Sequence, residues 1–347
     1  MNGFISEIYG QPDAILETSL ALQTQLIALE PLLKAVEDGV FQKLIFTGMG
    51  SSCSAVYPSA LRLTEHGFDV RIVEASELLH YQSKLLTPSV LLIAISQSGR
   101  SAEILPLLDL AHARQVNVLG ITNTPDSLLD HGSQATLLMR AGAEATVSDK
   151  TYTCTLALLH MLTSALLHEP VDQAVAAIQS VVDDIRASLD RWHSQMGALA
   201  AKWTATPFIE YLARGQSMAS ANTAALISKE SIKMPTESMN AGQFRHGPLE
   251  LVDEHFTGML FMGASITHDV NLRLAQEIVA HRGHLAILSH TDVQLAGTEW
   301  IELPACPPDL MPLAEIVPIQ LFCAEMSVIR GYEAGHFRYI SKVTVQE

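Results

Sequence analysis

A continuous apolar run, Leu91–Ile95, passes directly into a turn of small polar residues, Ser96-Gln97-Ser98-Gly99-Arg100-Ser101. An unbroken apolar run of this length is typical of a strand buried on both faces of a parallel sheet. Helix-compatible sequence resumes at Ala102. A strand, a tight polar turn and a helix N-terminus in this order favour anion binding, because free N–H groups and hydroxyls converge there. The alternative interpretation is an ordinary βα turn whose serines cap the helix.

The same alternation of apolar strands and helices recurs on both sides of this stretch. Leu44-Ile45-Phe46 leads into a second turn rich in glycine and serine, Thr47-Gly48-Met49-Gly50-Ser51-Ser52, and further strands are predicted at Val70–Val73 and Val116–Asn123. Strands that alternate with helices predict a parallel sheet with helices on both faces. Ligands of such sheets bind at the carboxyl ends of the strands, where both serine turns fall. The G-x-G-x-x-G pattern is incomplete, so a dinucleotide site is not favoured.

The second half of the chain repeats this pattern. Three pairs of segments correspond at similar intervals: Leu44–Ser52 with Pro207–Ser217, Leu91–Ser98 with Met259–Ser265, and Val118–Thr122 with Leu285–Ser289. Such duplication predicts an α/β protein with two tandem doubly wound, flavodoxin-like domains with parallel sheets, followed by a C-terminal tail. We expect the boundaries 1–185, 186–330 and 331–347. Because the second copy has lost most of its hydroxyls, we expect the phosphate site in the first domain.

Charge and composition exclude several classes of partner. The 347 residues carry a formal net charge of −16, which argues against nucleic acid or an anionic membrane but not against a small phosphorylated metabolite. The four cysteines lie far apart, and His281 and His284 have no evident third ligand, so neither a disulfide framework nor a metal site is expected. Since no signal peptide or membrane-spanning apolar run is evident, we expect a cytoplasmic protein. A hydrophobic content of 48% favours apolar surface hidden between subunits.

The segment Ser228–Pro248 carries the candidates for proton transfer. Glu230 lies near the end of a predicted helix, and the glycines and prolines that follow predict a loop that presents His246. A carboxylate beside carbon and a histidine beside a ring oxygen would serve acid–base chemistry on a sugar. The alternative interpretations are a solvated charge on a helix and a histidine on the surface.

Together these motifs resemble the sugar-isomerase (SIS) superfamily. The likeness rests on the two serine turns, on Arg245-His246-Gly247-Pro248, on Glu7–Pro12 and on the terminal Lys342-Val343-Thr344-Val345, and it covers essentially the whole chain. More narrowly, the chain is similar to the isomerase portion of glucosamine-6-phosphate synthases, without the glutaminase domain that takes ammonia from glutamine. The resemblance implies action on a phosphosugar by ring opening and proton transfer, with no metal and no redox cofactor.

The resemblance also assigns roles to individual residues. Glu230 corresponds to the base that moves a proton between C1 and C2, His246 to the ring-opening histidine that a neighbouring subunit usually supplies, and Lys342 to the Schiff-base lysine. The phosphate and the sugar are expected to contact residues of the two turns and of a later loop: Ser51, Ser52, Ser96, Gln97, Ser98, Ser101, Val147 and Ser148. A homodimer or a higher homo-oligomer is therefore expected.

Three functions follow from the resemblance. The first is a glucosamine-6-phosphate deaminase, which converts D-glucosamine 6-phosphate and water to D-fructose 6-phosphate and ammonia. The alternative enzyme is a deglycase of fructosamine-type 6-phosphates or another phosphosugar aldose–ketose isomerase. The third is a non-catalytic phosphosugar sensor, which needs the serine turns but not Glu230 and His246, and which the acidic charge disfavours. Ile227 occupies the position of a further active-site lysine of the synthases, which argues against the synthase reaction.

Overall fold

The computed structural model describes residues 3–263 and 265–343, apart from the side chain of Ser265. The strands within these residues are β1 (Lys43–Gly48), β2 (Val70–Glu74), β3 (Val90–Ile95), β4 (Asn117–Thr122), β5 (Ala135–Leu138), β6 (Ile209–Ala213), β7 (Thr236–Asn240), β8 (Thr257–Phe261), β9 (His284–Ser289) and β10 (Thr298–Glu302). The helices are α1 (Gly3–Tyr9), α2 (Gln11–Ala28), α3 (Glu30–Glu37), α4 (Ser51–Ser54), α5 (Tyr57–Glu65), α6 (Ala75–His80), α7 (Ile104–Ala113), α8 (Leu128–Gly132), α9 (Lys150–Leu166), α10 (Val171–Lys202), α11 (Met218–Ser231), α12 (Ala241–Phe244), α13 (His268–Ala280) and α14 (Met311–Ile329).

The described strands form two five-stranded sheets in which every neighbouring pair is parallel. The first sheet has the strand order β2-β1-β3-β4-β5, and the second has the order β10-β9-β8-β6-β7. When the strands are numbered within their own half, both sheets have the same flavodoxin-like doubly wound order. The predicted α/β class, the parallel sheets and the repeated doubly wound unit are thereby confirmed.

Two compact units, each built on one sheet, make up the structure. The first sheet unit comprises Gly10–Glu144, Lys150–Gln179 and the tail from Arg338, and the second sheet unit comprises α1, Ala145–Asp149 and Ser180–Phe337. The units therefore exchange short segments along the chain, whereas the boundaries predicted from the sequence are contiguous. Residue 185 also lies inside α10 rather than in a linker. The division of function among residues 1–185, 186–330 and 331–347 stays a prediction.

Tertiary contacts, rather than position along the chain, place α1 and Ala145–Asp149 in the second sheet unit. The helix α1 packs against α14, and the carboxylate of Glu7 accepts hydrogen bonds of 2.6 and 3.3 Å from two backbone N–H groups of Ala145–Asp149. The N–H of Val147 donates to the carbonyl of Gly335 at 3.1 Å. These bonds satisfy the backbone of a segment that has no regular secondary structure.

The core of the first sheet unit is organised around β3. All six residues of β3 are buried, and apolar side chains of α6, α7 and α8 form one cluster with three of them, Val90, Leu92 and Ala94. Each buried leucine or isoleucine contributes about 1.5–3 kcal/mol relative to leaving it exposed. On α9, which packs against α2, sixteen of seventeen residues are buried. Since β3 ends at Ile95, the chain reaches the carboxyl edge of the sheet at Ser96.

The core of the second sheet unit contains an apolar helix, α14, that packs against α11. By length and composition alone, α14 is the one helix of the described residues that could cross a membrane. However, 83% of its most apolar window is buried inside the protein. Such burial is typical of a core helix, because a helix that is apolar on all sides needs protein or lipid around it.

In the second sheet unit, the turn that corresponds to Thr47–Ser52 donates hydrogen bonds to a carboxylate of α14. Glu315 is fully buried and accepts hydrogen bonds of 2.6 Å from the hydroxyls of Ser217 and Ser220. Ser217 is the N-cap residue of α11, and Ser220 lies in its first turn. Burial raises the pKa of Glu315 to about 7, although the two serine hydroxyls lower it in part. The protein's own carboxylate thus binds where the first copy offers free hydroxyls.

We expect Glu315 to make the free energy of unfolding fall as the pH rises. Because the pKa is raised from 4.5 to about 7, the stabilisation by the neutral form is complete below the lower value and is lost as the pH rises through the higher one. The pKa shift corresponds to a loss of about 3 kcal/mol in the free energy of unfolding. Glu315→Gln should lack this part of the pH dependence. Urea unfolding from about pH 5 to about pH 8 measures it.

The matched control is Glu254→Gln, at an exposed glutamate of the same unit. It should leave the pH dependence of the parent protein unchanged. If the free energy of unfolding depends on pH in the same way in Glu315→Gln and in the parent, then Glu315 does not bind its proton more tightly in the folded than in the unfolded state.

Candidate active site

The predicted phosphate turn after β3 is held by its own hydrogen bonds. Ser96 Oγ and Ser101 Oγ lie 2.9 Å apart, and Ser98 Oγ accepts a hydrogen bond of 3.2 Å from a backbone N–H of the turn. Gly99 has a φ of +61° and donates to the carbonyl of Ser96 at 3.0 Å. The helix α7 begins at Ile104, two residues later than the sequence indicates. The hydroxyls therefore form a compact group ahead of a helix N-terminus, an arrangement that favours an anion.

The turn after β1 reaches the same edge of the first sheet. Gly48 and Ile95 are register partners at the ends of the neighbouring strands β1 and β3, so the two turns are adjacent. A Cβ on Gly48 would lie 2.8 Å from the carbonyl oxygen of Ile95 and 3.2 Å from Cβ of Ser52, which explains the glycine. The structure thus brings six predicted phosphate contacts to one edge of the sheet: Ser51, Ser52, Ser96, Gln97, Ser98 and Ser101.

The predicted sugar contacts Val147 and Ser148 lie in the second sheet unit. Val147 is fully buried and its N–H is bound to Gly335, so neither its side chain nor its N–H is available to a ligand. Ser148 is half-buried. The anchor of this loop, Glu7, belongs to the Glu7–Pro12 motif, and the sequence analysis assigned it no role of its own.

Glu230 lies in the last turn of α11 and is half-buried. Contacts hold this helix at both ends. Glu315 binds the hydroxyls at its start, and Lys233, with a φ of +59° just beyond its end, donates from Nζ to the carbonyl of Glu230. Ile227, one turn before Glu230, is fully buried. The position of the additional lysine in the synthases is therefore part of the apolar core here.

The sequence analysis missed a buried carboxylate beside α11. Glu210 in β6 is 1% exposed and is the register partner of Glu237 in β7. The pKa of Glu210 is raised to about 7, first by burial and then by the charge of Glu237, although Lys229 of α11 lowers it in part. The available signal was an acidic residue inside the apolar run Phe208–Leu212. Glu210 gives the second sheet unit a proton-binding group that titrates near neutral pH.

His246 lies on an exposed loop of the second sheet unit. Asn240 caps the short helix before it by accepting a hydrogen bond of 2.8 Å from a backbone N–H. Gly247 follows with a φ of +138°, a conformation that few residues other than glycine adopt. An ion pair with Glu277 holds the neighbouring Arg245, whereas His246 itself is exposed. The imidazole is therefore accessible from outside this chain.

The tail lysine, Lys342, forms an ion pair within the first sheet unit. Its Nζ lies 2.6 Å from Oε2 of Glu144, whose side chain is fully buried. Glu144 also accepts hydrogen bonds from the N–H of Thr151 at 2.9 Å and from its hydroxyl at 2.7 Å. Sequence reasoning missed Glu144, which is separated from Lys342 by 198 positions. The rest of the predicted terminal motif, Thr344-Val345, lies outside the described residues.

The cysteines and the potential metal ligands offer no further chemistry among the described residues. Among the described residues, none of the four cysteines is part of a disulfide bond. Burial raises the pKa of Cys53 to about 11 and those of Cys306 and Cys323 to about 12, so their reactive thiolate forms are disfavoured at neutral pH. Within residues 3–263 and 265–343, no three His, Cys, Asp or Glu residues are grouped so that they could hold a metal ion.

A comparison with known families identifies the region around the serine turns. Residues 42–165 match the family model described as SIS domain. The chain contains a SIS domain. The matched residues run from just before β1 to near the end of α9. The SIS domain therefore includes both serine turns and Glu144.

A curated relative extends the likeness beyond the matched SIS domain. The glutamine–fructose-6-phosphate aminotransferase (isomerizing) of Pyrococcus horikoshii is 30% identical to this SIS-domain protein over 350 residues. The alignment covers 99% of this chain and 57% of the relative. The chain thus spans little more than half the length of this curated relative.

Two solved structures share the fold. The C-terminal domain of glucosamine-fructose-6-phosphate aminotransferase from Francisella tularensis has a TM-score of 0.86 at 23% identity, with 95% of this chain and 96% of that chain covered. Tagatose-6-phosphate ketose/aldose isomerase from Escherichia coli has a TM-score of 0.83 at 20% identity, with 96% and 95% covered. At these identities the likeness shows that the fold is shared and no more.

We expect Gly99→Ala to disrupt the serine turn of the SIS domain. A Cβ at Gly99 would lie 2.1 Å from Oγ of Ser127, and the positive φ adds about 1–2 kcal/mol of strain. The displaced turn should lose at least one charge-assisted hydrogen bond to a phosphate, which is about a tenfold or greater loss in affinity. Calorimetric titration with glucosamine 6-phosphate measures this.

Gly142→Ala is the matched control, because Gly142 has a φ of +68° but no atom within 4 Å of its Cβ position. It carries the backbone strain without the clash and should bind like the parent. Equal affinity of Gly99→Ala and Gly142→Ala would mean that the turn does not hold the phosphate.

Proposed function

We propose that this SIS-domain protein is a glucosamine-6-phosphate deaminase, which converts D-glucosamine 6-phosphate and water to D-fructose 6-phosphate and ammonia. The observation that carries the proposal is the cluster of serine hydroxyls at the carboxyl ends of β1 and β3, which is suited to a phosphate. Similarity to relatives named as isomerizing fructose-6-phosphate aminotransferases supports an amino-sugar phosphate as the substrate class.

In this proposal the serine turns bind the phosphate of the substrate. The hydroxyls of Ser52, Ser96, Ser98 and Ser101 and the free N–H groups at the start of α7 are the donors. Each charge-assisted hydrogen bond contributes about 1.5–3 kcal/mol. Such local donors outweigh the net charge of −16, because charges on the distant surface are screened by salt.

Acid–base catalysis then moves protons on the bound sugar. His246 opens the ring by transferring a proton between O1 and the ring oxygen. Glu230 removes the proton from C2 of the open-chain aldehyde, which gives an enolamine, and a proton is returned to C1. The product is an imine at C2, and its hydrolysis gives the ketone of fructose 6-phosphate and ammonia. Proton transfers of this kind need a positioned base and acid rather than a change in redox state.

The runner-up function is a deglycase of fructosamine-type 6-phosphates or another phosphosugar aldose–ketose isomerase. The proton transfer between C1 and C2 assigned to Glu230 is itself an isomerisation, and the matched relatives are named as isomerizing enzymes. The phosphate donors would be the same in either case. The buried Ile227 disfavours the synthase reaction in both cases, because it removes the charge that the synthases place one turn before the base.

We also propose that the active unit is a homodimer or a higher homo-oligomer in which His246 acts in the active site of a neighbouring copy. The exposure of His246 on its own chain supports this. In a mixture of Glu230→Gln and His246→Ala proteins, exchange of subunits should then restore part of the activity. Mixed oligomers without any activity would contradict this arrangement.

We expect Glu230→Gln to abolish the release of ammonia while phosphosugar binding stays close to that of the parent. Loss of a general base typically lowers the rate by about 10²–10⁴-fold, whereas the phosphate donors lie on other elements. The measurement follows ammonia together with deuterium at C1 of the fructose 6-phosphate formed from glucosamine 6-phosphate in deuterated water.

Glu254→Gln, at an exposed glutamate of the same unit, is the control and should react at the rate of the parent. If Glu230→Gln also reacts at that rate, Glu230 is not the base. If the parent releases no ammonia but isomerises another phosphosugar, the runner-up function replaces the deaminase.

A further inference from the structure

We propose that Glu144 is the positioning residue of Lys342: it holds the lysine amine in place and accepts its proton when the amine attacks the sugar. The proposal rests on the proposed function and on the role of Schiff-base lysine that the family resemblance assigns to Lys342. It concerns a buried carboxylate of the SIS domain that neither the sequence motifs nor the proposed proton transfers use. The carboxylate and the amine both belong to the first sheet unit.

The tail around Lys342 has no regular secondary structure within the described residues. Of residues 338–343, Tyr339 and Ile340 are 93% and 59% exposed. The side chain of Lys342 is only 21% exposed, because its Nζ lies against Glu144 at 2.6 Å. A lysine side chain loses rotamer freedom when it is fixed. The contact with Glu144 offsets this cost and places the amine.

Glu144 is itself held firmly. Its Oε1 accepts the N–H of Thr151, and its Oε2 accepts the hydroxyl of the same residue. Thr151 lies in the first turn of α9, where the positive end of the helix dipole favours a charged carboxylate. The side chain of Glu144 is fully buried, so its charge needs a nearby cation. Lys342 supplies that cation to Oε2.

The geometry suits a proton transfer that prepares the lysine for attack. The ammonium of Lys342 passes one proton to Oε2 of Glu144, which frees the lone pair on Nζ. The lone pair forms a C–N bond at C2 of the sugar imine, and the π electrons of the imine move to its nitrogen. The two protons that remain on Nζ pass to that nitrogen, and the bond between it and C2 breaks as the Nζ lone pair forms the new imine, so that it leaves as ammonia. The sugar is then bound to Lys342 as an imine. Water hydrolyses this imine to fructose 6-phosphate, and the proton on Glu144 returns to the amine.

Trapping with borohydride tests the proposal without any ammonia assay. Fructose 6-phosphate condenses with the free amine and releases water, and borohydride reduces the imine to a stable secondary amine that peptide mass spectrometry locates. We expect an adduct at Lys342 in the parent protein and about tenfold or more slower formation in Glu144→Gln. Without sugar, acetic anhydride should label Lys342 faster in Glu144→Gln, because the amine is no longer bound to a charged acceptor.

Glu74→Gln is the matched control. Glu74 also accepts a backbone N–H at the start of a helix, from Ser76 at 3.3 Å, so its replacement by Gln removes a carboxylate charge from a helix N-terminus without touching Lys342. It should leave both trapping and labelling at the levels of the parent. A slower reaction in both variants alike would indicate a general structural effect and overturn the proposal.

Two further outcomes overturn it: trapping in Glu144→Gln at the rate of the parent, or no adduct at Lys342 in the parent. If Glu144→Gln does not fold, Glu144→Asp replaces it. Its shorter side chain cannot reach Thr151 and Lys342 together. Adduct formation in that variant at the rate of the parent would therefore also overturn the proposal. Failure of the deaminase proposal alone is recognised separately, as adduct formation at Lys342 without ammonia release from glucosamine 6-phosphate.

Discussion

In β3, six consecutive residues are buried, and β1 and β4 satisfy its backbone on either side. The other features of the first sheet unit depend on this arrangement. Along β3 the neighbouring strands pair the backbone N–H and carbonyl groups, so donors for a ligand are expected where the strand ends and the next helix has not begun. In this chain that interval is Ser96–Glu103, and the neighbouring turn after β1 meets it because Gly48 permits a close approach.

The two sheet units show how one architecture supports different chemistry. Both have the same strand order, yet serine hydroxyls near the ends of their strands have different partners. In the first unit, Ser96 and Ser101 bond to each other at the edge of the sheet. In the second unit, Ser217 and Ser220 bond to the buried Glu315. An internal carboxylate thus ties α11 to α14, and α11 carries Glu230, the proposed base.

The periodic features of the sequence were sufficient to predict seven of the described strands, the parallel sheets and the duplication, because these depend on local patterns of apolar residues. The strands β5, β7 and β10 were not predicted. The interactions that the sequence analysis missed are long-range. Ser217 and Glu315 are 98 positions apart, and Glu144 and Lys342 are 198 positions apart. The exchange of Ala145–Asp149 between units depends on the bond from Val147 to Gly335. Nothing in the local composition of these segments indicates such partners.

The account depends most directly on where a phosphosugar binds. A crystal of the protein soaked with glucosamine 6-phosphate tests this, because phosphorus is electron-dense and the two candidate turns belong to different units. The account predicts phosphate density against the hydroxyls of Ser96, Ser98 and Ser101. Phosphate density at Arg214–Ser217 alone, with the β3 turn empty, would contradict it.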